Sequence, residues 1–171
     1  MKTVKIMILL VIAVTMAGAA FAAPVRIGSL EQGLESPVRV AVDTQGNVYV
    51  TEAFRGRVVV FDVNGNYRAS LSVPRPLGIA VAPNGLLYVG TAVGRKNNSV
   101  YVFNPDLTSA GCLGSGACAG FIKPIDITVD KAGRIYVVDS DGGVSAVKIY
   151  DPSGALSATI YGSGASRLRL P

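Results

Sequence analysis

Charged side chains carry most of the chemistry this sequence could do. Arg55, Arg57, Arg95, Lys96 and Lys123 fall in short polar stretches between apolar runs, and Asp139 and Asp141 fall in another. With Arg39 and Asp126 near the start of two of those runs, these residues could line a groove for a peptide, a glycan or an anion, held by charge-assisted hydrogen bonds. Loop charge that serves solubility alone has the same appearance. Nucleophilic hydrolysis has less to work with. The chain contains no histidine, which removes a Ser-His-Asp triad and a histidine base, and no serine stands in a G-x-S-x-G turn. Glu52, Asp126 and Asp130 are the acidic residues near the ends of apolar runs, and they lack the spacing of a calcium loop. Asp141-Gly142-Gly143 reads as a turn before it reads as a ligand.

The basic stretch at 94–98, GRKNN, offers one Arg-Lys pair, too few phosphate contacts for nucleic acid. The two cysteines, Cys112 and Cys118, flank the pliable sequence LGSGA and are expected to form a disulfide if the protein reaches an oxidising compartment, two free thiols being the alternative. Without histidine or a second cysteine pair there is no zinc-type ligand set, and no cofactor is expected.

Export is expected from the N-terminus. Lys2 and Lys5 precede a nearly continuous apolar run at 6–16, and Ala20-Phe21-Ala22 has the small-x-small pattern of a peptidase site, so residues 1–22 read as a signal peptide and the protein as secreted or periplasmic. An uncleaved anchor is the alternative reading. The formal charge of +5 includes those two lysines; without them 14 basic residues face 11 acidic ones, too small a bias to argue for nucleic acid. Half of the 171 residues are hydrophobic, enough for one sizeable core and a single domain.

The elements that would position these charges repeat. VAVDTQGNVYV at 40–50 returns as IAVAPNGLLYV at 79–89 and as ITVDKAGRIYV at 127–137. Each copy is an apolar run, a turn closing on glycine (Gly46, Gly85, Gly133) and a second apolar run holding a tyrosine (Tyr49, Tyr88, Tyr136). Asp43 and Asp130 open two of the turns, where a carboxylate caps free backbone amides. Two further runs complete each unit, with Val58, Val60, Phe61 and Asp62 matching Val100, Val102, Phe103 and Asn104, then Val147, Ile149, Tyr150 and Asp151. Four short strands per unit, apolar on both faces in the first two, predict small sheets stacked face to face around an axis, an all-β propeller.

These units resemble the NHL repeat. Pro76-Leu77-Gly78-Ile79-Ala80-Val81 and Arg57-Val58-Val59-Val60-Phe61-Asp62 match it best, while Arg39 and Asp126 replace its usual glycine and Ala82 its usual aspartate. The resemblance implies a propeller, usually of six blades, that serves as a non-catalytic binding or assembly platform. Some similar six-bladed propellers are lactonases or other hydrolases with oxygen-ligated calcium, and that is the alternative. Blades are expected at 37–73, 76–114 and 124–162, with 25–28 as the outer strand of an incomplete blade. Three blades make half of such a ring, so the chain is expected to be truncated or to be completed by a second copy or a partner. Turns after first and third strands are of constant length and loops after second and fourth strands vary, which marks the variable-loop end as the binding face for a protein, peptide or glycan. After signal cleavage no stable membrane insertion is expected.

Overall fold

The computed structural model describes residues 28–30, 33–94, 98–114, 120–141 and 144–161. The expected signal peptide, most of the 25–28 strand, Arg95, Lys96 and Cys118 lie outside the described residues.

Strands form where valine, isoleucine and tyrosine cluster, because β-branched and aromatic side chains pack well on a pleated surface. β1 (Pro37–Val42), β2 (Val48–Glu52), β3 (Arg57–Phe61) and β4 (Tyr67–Ser72) make one antiparallel sheet in sequence order. β5 (Pro76–Val81), β6 (Leu87–Thr91), β7 (Val100–Phe103) and β8 (Ser109–Cys112) make the second. β9 (Pro124–Val129), β10 (Ile135–Asp141), β11 (Val144–Tyr150) and β12 (Leu156–Tyr161) make the third. Among the described residues there is no helix, and so none long and apolar enough to cross a membrane. Irregularities repeat with the units. The register shifts just after Pro37, Pro76 and Pro124 in the inner strands, and again beside Phe61, Phe103 and Tyr150 between the third and fourth. Each bulge adds local twist at the same place in its sheet.

Six hairpin turns share one geometry. In the first, Gly46 N–H donates to Asp43 O at 3.1 Å and Asp43 N–H to Asn47 O at 3.1 Å. The closing residue must adopt the left-handed conformation, and Gly46 does so at φ 86°. Leu107 fills this role at φ 70° in the turn before β8, the one hairpin of the six without glycine there. Carboxylates hold the turns as expected: Asp43 Oδ1 accepts from Gln45 N at 2.9 Å and Asn47 N at 2.8 Å, and Asp130 Oδ1 from Ala132 N and Arg134 N, both at 2.9 Å. Their second oxygens take the repeat tyrosines, Tyr49 Oη at 3.1 Å and Tyr136 Oη at 3.2 Å.

These bonds lower the pKa of the turn carboxylates. Burial alone would raise Asp43, but hydrogen bonds from Asn47, Tyr49 and Gln45 outweigh it. Asp62, Asp130 and Asp151 are held low as well. A carboxylate whose pKa is depressed in the folded state contributes stability above its unfolded value, near 3.9 for aspartate, and loses it as pH falls through the folded value. The melting temperature is therefore expected to be insensitive to these groups from pH 5 to 8 and to drop below about pH 4. Asp43→Asn should flatten that acid slope in a pH series of thermal melts; an unchanged slope would refute the assignment.

The sheets stack through two apolar junctions. Tyr49, Val58 and Val60 of the first meet Ile79, Leu87 and Val89 of the second, and Tyr88, Val100 and Val102 of the second meet Ile127, Ile135 and Val137 of the third. At the second junction the backbones come very close. A Cβ built on Gly90 would lie 2.4 Å from Pro124 O, and one on Gly78 would lie 2.9 Å from Asp126 Cα. Burial on both faces holds for the first two strands of the middle sheet, where β6 is buried throughout. It does not extend to β1, where Val40 is 62% and Val42 57% exposed, because nothing among the described residues packs on that side of the inner strand. Further out on the same flank, Leu30 and Leu34 cover Val50, Val59 and Phe61.

Candidate functional site

The loops after second and fourth strands gather at one end of the stack, and a carboxylate organises that end in two of the three sheets. β2 ends on Glu52, fully buried, whose Oε1 accepts the amides of Glu35 and Ser36, the latter at 2.8 Å, just before the opening proline. Its Oε2 takes Arg57 Nε at 2.7 Å, and Arg57 also donates to Gly33 O. Asp139 does the same for the third sheet. It is 2% exposed, and its Oδ1 accepts from Ile122 N at 2.9 Å and Lys123 N at 2.7 Å. Its Oδ2 meets Lys148 Nζ at 2.7 Å. Lys148 continues to Gly120 O at 2.8 Å and sits 4.8 Å over the Phe121 ring. Burial, reinforced by the negative charge of Asp139, pushes Tyr150 up to about 12.

Arg57 and Asp139, expected to face a groove, are thus engaged inside the protein, because a buried carboxylate needs both a cation and hydrogen-bond donors. Arg55 stays at the rim in an exposed pair with Glu35. Arg39 is exposed, its Nη1 3.3 Å from Val38 O, and Asp126 is exposed with Oδ1 accepting from Ile127 N at 3.1 Å. These three remain open to a ligand, though no contact brings them together. The polar stretch that holds Asp139 and Asp141 belongs to strand, with Ser140 paired to Ser145 and Asp141 to Val144. Cys112 ends β8, half-buried.

The second sheet departs from the pattern. Thr91 stands where Glu52 and Asp139 stand, and it closes on Ser99, accepting from Ser99 N at 3.0 Å. Pro74 stands where Glu35 and Ile122 stand, so one of the two amides that a carboxylate would hold does not exist. Arg75, just before the opening proline, is left-handed at φ 44°, and its carbonyl accepts from Ala92 N at 3.1 Å. An L-residue other than glycine gives up about 1–2 kcal/mol in that conformation. Beside Arg75 opens a cleft of about 330 Å³ lined by Ala53, Arg75, Leu77, Ala92, Val93, Gly94 and Lys123. Its far wall is fixed by Asn98, fully buried, whose Oδ1 accepts from Val93 N at 2.8 Å and whose Nδ2 donates to Gly94 O at 2.9 Å and to Ile122 O.

Arg75, Asn98 and Lys148 were not signalled as functional by residue type alone. Lys148 could have been noticed as a charge at a position where the other units carry Val59 and Tyr101. Arg75 could have been noticed as an arginine locked between two prolines.

At the opposite end a cleft of about 200 Å³ lies where the inner strands finish, lined by Val42, Asp43, Val81, Ala82, Val129 and Asp130 among others. Both carboxylates there are occupied by their own turns. Among the described residues no three histidine, cysteine, aspartate or glutamate side chains gather as a metal site. Glu52 and Asp139 do not suit calcium either, since their oxygens already face N–H donors and a cation.

Known structures share this arrangement of sheets. Hydrazine synthase of Kuenenia stuttgartiensis superposes with a TM-score of 0.61 at 20% identity, over 72% of this chain and 36% of that one. A chain of a nidogen/laminin complex gives 0.60 at 22%, over 72% and 47%. The chain folds as a β-propeller. A putative gluconolactonase gives 0.54 at 19% identity, over 74% of this chain and 48% of the other. Among curated proteins, the adipocyte plasma membrane-associated protein of Salmo salar is 38% identical over 79 residues, which is 45% of this chain and 19% of that protein. The propeller chain therefore spans less than half the length of these relatives. No protein-family model matches it.

Proposed function

We propose that the chain is the blade-forming part of an exported NHL-type propeller that binds a protein, peptide or glycan through its variable-loop end. The carrying observation is the contrast between its two ends. At the constant-turn end Asp43 and Asp130 are satisfied by their own turns, whereas the variable-loop end holds a cleft with Arg75 and Lys123 on its wall and Arg39 and Arg55 exposed on the same end. A chain that shares the fold comes from a nidogen/laminin complex, which supports the same use of the scaffold. Export through residues 1–22, a Cys112–Cys118 disulfide and completion of the ring by further blades, a second copy or a partner belong to this proposal.

Arrays of glycans and acidic peptides probed with the chain from Ala23 onward test it. Hits are expected to be lost on Arg39→Glu or Arg55→Glu and kept on Arg68→Glu or Lys131→Glu, which alter the constant-turn end. Hits sensitive only to the second pair would overturn the choice of face. Calcium at millimolar concentration is expected to leave the melting temperature unchanged; a marked rise would favour the lactonase-like alternative, since a ligand that binds the folded state stabilises it.

A further inference from the structure

We infer that the cleft between Arg75 and Lys123 is a binding site for a small organic carboxylate. This rests on the variable-loop end being the binding face and names the chemistry that part of it recognises.

The repeat makes the site visible as a substitution of charge. The residues just before the opening prolines are Ser36, Arg75 and Lys123, three copies of one position. In the first blade this position is neutral and stands beside the buried acid Glu52. In the second blade the acid has become Thr91, its hydroxyl turned to Ser99, and the neutral residue has become arginine. The third blade keeps its acid, but one oxygen of Asp139 holds the amides of Ile122 and Lys123 and the other holds Lys148. The Lys123 ammonium is left over. Two cations therefore line one cleft, and among the described residues no carboxylate lines it and neither side chain has an ion-pair partner.

A ligand carboxylate would restore at the second blade the negative charge that the first and third supply from within. The guanidinium of Arg75 presents a planar pair of donors matched to a carboxylate, and Lys123 adds a point charge. The remaining walls are Ala53, Leu77, Ala92 and Val93, which suit an apolar body attached to the acid. At about 330 Å³ the cleft is at the lower end of small-molecule sites. Arg75 holds a left-handed backbone that Ser36 and Lys123 do not, an arrangement retained against local preference.

That strain supplies a clean test. Arg75→Gly removes the cation and suits φ 44°, so it should bind less while melting at the same or a higher temperature. The probe is benzoate, titrated into the chain from Ala23 onward and followed by amide NMR shifts and thermal melts, with benzamide and inorganic phosphate alongside. Saturable benzoate binding with shifts at Leu77, Val93 and Lys123, weakened about tenfold or more by Arg75→Gly and by Lys123→Met and absent for benzamide, is the expected result. No saturable benzoate binding overturns the inference, as does phosphate binding equally well with the same two dependences. Benzoate shifts elsewhere on the variable-loop end, indifferent to both substitutions, overturn this site and leave the face intact. Shifts confined to the constant-turn end overturn both.

Discussion

Glu52→Ala is expected to lower the unfolding free energy by about 3 kcal/mol, among the largest effects of any single side-chain truncation in the chain. The fully buried carboxylate satisfies two backbone amides before β1 and the guanidinium of Arg57, and alanine leaves those amides without an acceptor. Arg57→Met should also destabilise, by about 2–3 kcal/mol, because it strands a buried charge. The two losses should couple by at least about 1 kcal/mol in a double-mutant cycle measured by urea unfolding. If Arg57 instead served a ligand at the surface, Arg57→Met would leave the urea midpoint in place and the cycle would show no coupling.

The second large effect is steric. Gly90→Val is expected to cost about 3 kcal/mol or more, although valine is the better strand former. The new Cβ would stand 2.4 Å from the carbonyl oxygen of Pro124 and 3.1 Å from its Cβ, and both belong to an inner strand that cannot yield without opening the junction behind it. Gly78→Ala meets Asp126 Cα at 2.9 Å and should be milder. The equivalent of Gly90 in the first blade is Thr51, which carries its side chain without conflict and donates Oγ1 to Leu77 O at 3.3 Å. The first and second blades are therefore spaced for a hydroxyl, and the second and third for a bare Cα. Thermal melts of Gly90→Ala and Gly90→Val should fall in that order, and a neutral Gly90→Ala would refute the close approach.

The fold was legible in the chain because its determinants are local and repeated. Turn aspartates, closing glycines and valine-rich runs lie within a dozen residues of one another, so alignment of the three copies located each strand. The site was less legible because its decisive partners are backbone groups or residues distant in sequence. Nothing in the letters Glu35-Ser36 or Ile122-Lys123 announces two amides waiting for a carboxylate, so Arg57 and Asp139 read as surface charge. Lys148 reaches Asp139 from a strand position two residues further along than the one Arg57 uses toward Glu52. Alignment of Glu52, Thr91 and Asp139 held the clue, since a position that is acidic twice and threonine once invites the question of what replaces the lost charge.

The uneven cover of the three sheets also sets how the molecule comes apart. Among the described residues the middle blade has neighbours on both faces, while Val40 and Val42 on one side and Leu156, Ile160 and Tyr161 on the other are left uncovered. Stability in a stacked array is a sum over units and their junctions, so a unit with one junction opens more readily than a unit with two. Native-state hydrogen exchange should accordingly run as a gradient, slowest at the amides of β6 and β7 and faster toward β1 and β12.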